Sequence, residues 1–185
     1  MRLKKPFFER NTLIVAKELL GKYLVRKIGD KVISAKITET EAYHGPKDLA
    51  SHASKGRTPR TAVMFGPAGY SYVYLVYGMY HCFNIVTGRD GFPSAVLIRA
   101  TEEIQNVKVK NQNDNLKLKM NGPGKLCREL KINQLLNGID LATSSKLWVE
   151  DHSEQMKKIK QTPRIGVDYA KEYKDKPWRF VLESK

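Results

Sequence analysis

The sequence predicts a single α+β domain (residues 1–185), on three observations. A chain of 185 residues suits one core, since domains commonly run about 100 to 200 residues. Short runs rich in β-branched and aromatic residues, divided by turn dipeptides, dominate the chain. Helix start and stop signals flank only two segments, and no internal repeat is visible.

In chain order, Asn11 is a natural N-cap for a helix running to about residue 20, with Leu13, Ile14, Leu19 and Leu20 as apolar positions and Gly21 as its stop. Residues 22–28 and 31–40 are β-rich and flank Gly29-Asp30, which predicts a hairpin ending in Glu39-Thr40-Glu41-Ala42-Tyr43. Residues 44–69, dense in Gly, Pro, Ser, Lys and Arg, read as a long functional loop over the sheet. The next stretch, "GYSYVYLVYGMYHCFNIV", holds five of the nine tyrosines. Tyr70, Tyr72 and Tyr74 alternate with Ser71, Val73 and Leu75, the pattern breaks at Tyr77-Gly78-Met79-Tyr80, and β-formers resume at His81. That is a hairpin with an aromatic tip. A turn at 87–91 and a strand at 94–101 follow, then a polar, Asn- and Lys-rich stretch at 108–119 expected to be a solvated, mobile connection. Gly122-Pro123-Gly124 introduces a second helix to Leu130, and residues 146–150 and 178–182 are late strands.

Lys and Arg number 33 against 19 acids, a balance of +14 that points to a polyanion or an anionic surface, nucleic acid first. There is no long amphipathic basic helix, no apolar run near the roughly 20 residues of a bilayer span, and no secretory signal behind the basic start, so the expected location is cytoplasmic and nucleoid-associated, or nuclear in a eukaryote. Cys82 and Cys127 lack metal-like spacing and read as small buried apolar residues. Neither a P-loop, a dinucleotide fingerprint nor a nucleophilic triad is legible.

Among residues that carry chemistry, Glu39 and Glu41 lie two apart and share a strand face where the strand meets the loop, so either could serve as a general base. With Asp48 and His52 they could also be read as cation ligands, in a spacing that matches no metal signature. His44 and His52 lie beyond them, and Lys55, Arg57 and Arg60 suit phosphate contacts.

The strings "ITETEAYHGPKDLASHA", "TPRTAVMFGPAGYSYVYLVYGMYHCFNIV", "AVLIRATEE" and "GPGKLCREL", followed by "RIGVDYAKEYKDKPWRF", resemble in order and spacing the alkyladenine type of 3-methyladenine DNA glycosylase, the methylpurine DNA glycosylases. The resemblance runs from the first helix to Phe180. It implies a curved antiparallel sheet with flanking helices and a protruding hairpin, and a monomeric enzyme acting on double-stranded DNA that contains damaged purines, with no membrane, metal or organic cofactor. By the same resemblance Glu41 is the general base that activates water, and Arg99 helps hold that water and a phosphate. Tyr43, His52, Tyr74 and Asn84 line the pocket for a flipped base, Asn84 crowding the 2-amino group of guanine, and Tyr77 is the wedge that fills the duplex. Glu39 becomes a structural acid, while Tyr70, Tyr72 and Tyr80 are left to packing. A flipped base, a cationic alkylpurine stacked on aromatic faces and an oxocarbenium-like transition state beside a carboxylate form one consistent chemistry. The expected lesions are 3-methyladenine and, with it, hypoxanthine and ethenoadenine, excised to leave an abasic site in an intact strand. His44 stands where the resemblance suggests an apolar residue, and residues 108–119 have no clear counterpart. Two rivals use the same residues: a non-catalytic nucleic-acid binder stacking bases on the tyrosines, and a metal-dependent nuclease using Glu39, Glu41 and Asp48.

Overall fold

The computed structural model describes residues 1–102, 104–109, 112–118, 120–155 and 158–183. Its first helix, α1 (Lys5–Phe8), was not expected; Pro6 near its start tolerates the missing N–H there. The capped helix α2 (Thr12–Glu18) follows, with the Asn11 side chain accepting from the Leu13 N–H. Gly21 stops the segment at φ 80°, a conformation open to glycine. β1 (Tyr23–Ile28) and β2 (Lys31–His44) form the expected hairpin, β2 running one residue past the expected end at Tyr43. Residues 45–70 contain two single 3-10 turns, His52–Lys55 and Ala62–Phe65. The tyrosine hairpin is β3 (Ser71–Val76) and β4 (Tyr80–Val86), and β5 (Ser94–Thr101) pairs with β4.

The connection expected near 108–119 is corrected by the structure: β6 (Ile104–Val109) and β7 (Gln112–Leu118) pair as an antiparallel hairpin, while 110, 111 and 119 lie outside the described residues. Sequence composition speaks for solvation, but backbone pairing between strands satisfies N–H and C=O groups whatever the side chains. Helix α3 begins at Pro123 itself and ends at Glu129. β8 (Leu147–Glu150), β9 (Ile159–Thr162) and β10 (Arg179–Leu182) complete the chain.

All pairs are antiparallel, and the main sheet runs β3-β4-β5-β2-β1-β8 with β9 and β10 joined to it through β2. The long β2 holds it together, pairing β1 with its first half and both β5 and β10 with its second. A register irregularity at residues 37–40 divides the halves, as a bulge does where a sheet curls. The result is the curled antiparallel sheet with few helices that an α+β fold requires. One face of the sheet contributes Val73, Phe83, Ile85, Val96, Ile98, Ile37 and Phe180 to the main core, which Val15, Leu19, Leu20, Leu126 and Leu130 of the helical segments cover. Thr40, on that face, donates its hydroxyl to the Ala16 carbonyl at 2.8 Å, so even the buried polar side chain is satisfied. Among the described residues no helix is long and apolar enough to cross a membrane.

Candidate active site

Because side chains alternate along a strand, every residue between two core residues of this sheet points to the opposite face. Tyr72 and Tyr74 flank Val73 on β3; Cys82, Asn84 and Val86 flank Phe83 and Ile85 on β4; Ala95, Leu97 and Arg99 flank Val96 and Ile98 on β5. Glu39, Glu41 and Tyr43 occupy the matching positions on β2, either side of buried Thr40 and Ala42. Of these, Tyr43, Tyr72, Tyr74, Cys82, Asn84, Ala95, Leu97 and Arg99 floor a cavity of about 450 Å³, roofed by Ser51, His52, Arg60 and Met64 on one side and by Ile165, Gly166, Val167 and Tyr169 on the other. That volume lies within the range of about 300 to 1,000 Å³ typical of small-molecule sites.

The acids meet behind the cavity wall. Glu39 Oε1 accepts from Arg99 Nε at 2.8 Å and from Arg179 Nε at 2.5 Å, which makes it the anchor for two guanidiniums. Glu41 is fully buried, at 0% exposure. Its Oε1 accepts from the Ile165 N–H at 2.8 Å and lies 3.4 Å from Arg99 Nη1, and its Oε2 accepts from the Tyr43 hydroxyl at 2.9 Å. Tyr43, Arg99 and Ile165 all line the cavity, so the carboxylate stands one residue layer behind its surface. Burial raises its pKa, with Arg99, the Ile165 N–H and the Tyr43 hydroxyl pulling the other way and Glu39 reinforcing the rise. A carboxylate held this way is more basic than one in water while remaining paired.

On the aromatic wall, the His52 ring meets Tyr74 edge-on, centroids 4.5 Å apart at 77°, and His52 Nδ1 lies 3.1 Å from the Tyr72 hydroxyl. Burial first, then the positive charges of Arg60 and Lys55, push the His52 pKa down to about 4, so the imidazole is neutral near pH 7. Asn84 is buried and donates its amide to the Tyr72 carbonyl at 3.1 Å. That bond fixes the side chain against the cavity floor. Tyr77 stands at the cavity rim on the hairpin tip and is 87% exposed, with Met79, Tyr80 and Leu75 exposed beside it. Tyr77 and Gly78 both have positive φ, 51° and 70°, and the Met79 N–H donates to the Val76 carbonyl across them at 3.1 Å. Paired positive φ at the central residues is the signature of the primed hairpin turn, which glycine adopts freely and tyrosine does not.

A buried acid behind an aromatic cavity stands next to an exposed aromatic tip on a strongly basic chain. A family model described as methylpurine-DNA glycosylase matches residues 6–185. The chain belongs to the methylpurine-DNA glycosylase family. It is 50% identical over 194 residues to a protein of Desulfitobacterium hafniense (strain Y51), covering 98% of this chain and 95% of the relative. A protein of Methanocella arvoryzae is 50% identical over 185 residues, covering 96% and 90% of the two chains, and one of Legionella pneumophila (strain Corby) is 49% identical over 182 residues, covering 98% and 94%. All three carry the provisional name of 3-methyladenine DNA glycosylase. The protein is therefore a DNA repair enzyme, a DNA glycosylase of the 3-methyladenine or methylpurine type.

Of the glycosylase residues singled out from sequence, Tyr43, His52, Tyr74, Tyr77, Asn84 and Arg99 line the one cavity, and Glu41 lies behind it. Tyr72, left to packing, lines it as well and holds His52; its place two residues from Tyr74 on the same strand was the available signal. The four side chains weighed as cation ligands are divided. Asp48 gives both oxygens to Arg164, at 2.6 and 2.8 Å, and accepts from the His44 and Ala50 amides. Among the described residues no three His, Cys, Asp or Glu side chains are grouped to hold a metal ion. His44 ends β2 rather than lying in the loop, with Nδ1 3.0 Å from Thr12 Oγ1 and its ring against Phe92. Arg60 is at the cavity edge, its guanidinium 5.2 Å from the Tyr74 ring centroid. Arg164, Ile165, Gly166, Val167 and Tyr169 had no individual signal, because they reach the site from more than 100 residues away in sequence.

Proposed function

We propose that this glycosylase turns a damaged purine out of duplex DNA into the 450 Å³ cavity and hydrolyses its N-glycosidic bond with a water that Glu41 deprotonates. The observation that carries the reading is the Glu41 carboxylate itself. Its two oxygens offer about four lone-pair sites; hydrogen bonds from the Ile165 N–H and the Tyr43 hydroxyl fill two, and the Arg99 guanidinium faces a third as an ion pair at 3.4 Å. The remaining site is the one assigned to water. Burial that raises the Glu41 pKa makes it a better proton acceptor, and Arg99 keeps it ionised.

In the proposed reaction the water proton passes to Glu41 and the oxygen bonds to the sugar C1′. The C1′–N bond breaks with its electron pair leaving on the base, and the same carboxylate stabilises the positive charge developing on the sugar. A cationic methylpurine is neutralised as it departs and needs no proton. Stacking on Tyr43 and Tyr74 adds a cation–π contribution of about 0.5 to 2 kcal/mol that a normal base lacks. Neutral lesions such as hypoxanthine and ethenoadenine fit the same aromatic walls but require protonation, and neutral His52 is no acid. They are therefore the slower substrates. Asn84 excludes guanine, Tyr77 fills the gap in the duplex, and the product is an abasic site in an intact strand.

The test is incubation with EDTA present of methylated DNA and of duplexes carrying one hypoxanthine or one ethenoadenine, scoring free base and strand breaks before and after alkali. The reading expects free base, alkali-dependent breaks, and loss of excision with binding retained in Glu41→Gln. Undiminished excision by Glu41→Gln removes the assigned base, and breaks that precede alkali remove the single-step chemistry.

A further inference from the structure

Arg164 and Asp48 form an ion pair with both side chains at 0% exposure. Arg164 Nη1 donates to Asp48 Oδ2 at 2.6 Å and to the Ala42 carbonyl at 2.9 Å, and Nη2 donates to Asp48 Oδ1 at 2.8 Å and to the Tyr173 carbonyl at 3.2 Å. The guanidinium lies against two rings, 4.8 Å from the Tyr43 centroid and 5.0 Å from that of Trp178. Its Nε has no partner among the described residues. A buried pair with an orphaned donor is a poor way to gain stability, because desolvation cancels much of the attraction. It does tie four places together: the end of β2, the segment carrying Asp48, the Tyr173 turn, and the chain entering Ile165.

We propose that the Asp48–Arg164 pair is a positioning device for catalysis, fixing the Ile165 N–H and the Tyr43 ring, two of the groups that hold the Glu41 carboxylate. Arg164 is the residue directly before Ile165, and Ala42, whose carbonyl it grips, lies between Glu41 and Tyr43. One guanidinium thus sets both the amide that reaches Glu41 Oε1 and the strand from which the Tyr43 hydroxyl reaches Oε2. The groups that face Glu41 are Arg99 from β5, Glu39 and Tyr43 from its own strand and the Ile165 amide, with Tyr74 and Cys82 of the floor further off. Arg164 acts on the carboxylate through others.

The inference rests on Glu41 being the base, so Glu41→Gln runs in parallel. The main variant neutralises both partners together, Asp48→Asn with Arg164→Gln, since removing one alone strands a buried charge. Single-turnover release of cationic methylpurine from duplex DNA is followed against pH, with lesion-duplex affinity and thermal melting measured on the same preparations. A cationic leaving base keeps the acidic limb a report on Glu41. The Ile165 N–H lowers the Glu41 pKa, so its loss must raise that pKa and carry the acidic limb to higher pH. The expected result is a folded double variant with lesion affinity retained, a plateau rate down about tenfold and an acidic limb moved up by about one unit. A rate and pH profile matching the unaltered enzyme, or a rate loss that follows only the fraction folded, overturns the proposal. Should the double variant not fold, replacing Ile165 by its α-hydroxy acid exchanges the one N–H for oxygen and leaves the ion pair intact. An unmoved acidic limb there overturns the proposal equally. Excision that survives Glu41→Gln would instead overturn the assignment of the base.

Discussion

Replacing Tyr77 by glycine should separate what the hairpin tip does for the fold from what it does for DNA. At 87% exposure the side chain buries almost nothing, so its removal forfeits little apolar contact. Its φ of 51° is left-handed, a conformation that costs an L-residue roughly 1 to 2 kcal/mol and glycine nothing. Glycine's greater freedom in the unfolded chain returns about 0.4 to 1 kcal/mol of that. The net expectation runs from no change to a gain of about 1.6 kcal/mol, a rise in melting temperature of at most about 3 to 6 °C for a domain of this size. Lesion capture moves the other way. Stacking of one aromatic on a base is worth about 1 to 3 kcal/mol, so affinity for a lesion duplex should fall roughly 5- to 150-fold. Thermal melting and fluorescence anisotropy on the same preparations read both. Equal lesion affinity in the two proteins would refute the wedge. A melting temperature several degrees lower would refute the claim that the tip is strained and idle in the free enzyme.

Glu41→Gln should lower excision by about 10² to 10⁴-fold with lesion binding retained, and should melt no lower than the unaltered protein near neutral pH. The sign follows from a raised pKa in the folded state: the group's contribution to stability is fully present below its unfolded pKa and lost as pH rises through the folded one, so at neutral pH the buried charge is a cost. Melting followed from acid to neutral pH checks this, and a variant clearly less stable at neutral pH would contradict it. Tyr72→Phe removes the hydroxyl 3.1 Å from His52 Nδ1 and should slow excision about 5- to 10-fold, the worth of about 1 kcal/mol of hydrogen bond. For His52 itself, held down to a pKa of about 4, the imidazole proton resonances should not titrate between neutral pH and about pH 5. A midpoint near 6.5, the ordinary value for histidine, would mean the ring is solvated rather than packed on Tyr74.

What the sequence shows well is what depends on near neighbours. Alternation placed Tyr72 and Tyr74 on one face, Gly78 marked the turn, Asn11 the helix cap, and the two-residue spacing of Glu39 and Glu41 correctly put both acids on one side, where Arg99 meets them. Illegible were features set by distant partners. The second half of β2 pairs with β5 and β10, and nothing within residues 37–44 announces those partners. The strands of 104–118 likewise arise from each other. Arg164 is one arginine among many until Asp48, 116 residues earlier, is brought to it. A charge pairing across that distance has no period or spacing to read. The tyrosines show the same limit: alternation placed Tyr72 on the face of Tyr74, but only the position of His52 shows what its hydroxyl does.

Three features that cost the folded protein free energy sit within this one region: a fully buried carboxylate at Glu41, a buried guanidinium nitrogen at Arg164 without a partner among the described residues, and a tyrosine in left-handed conformation at the hairpin tip. All three lie apart from the core that Phe83, Ile98 and Leu126 build on the other face of the sheet. Strain of this kind persists where surrounding structure over-determines it, and it points toward function when several instances converge. Here they converge on one carboxylate and on the rim of one cavity. The sheet makes that separation possible: alternation gives one face to helices and stability, and leaves the other free to hold groups that stability alone would exclude.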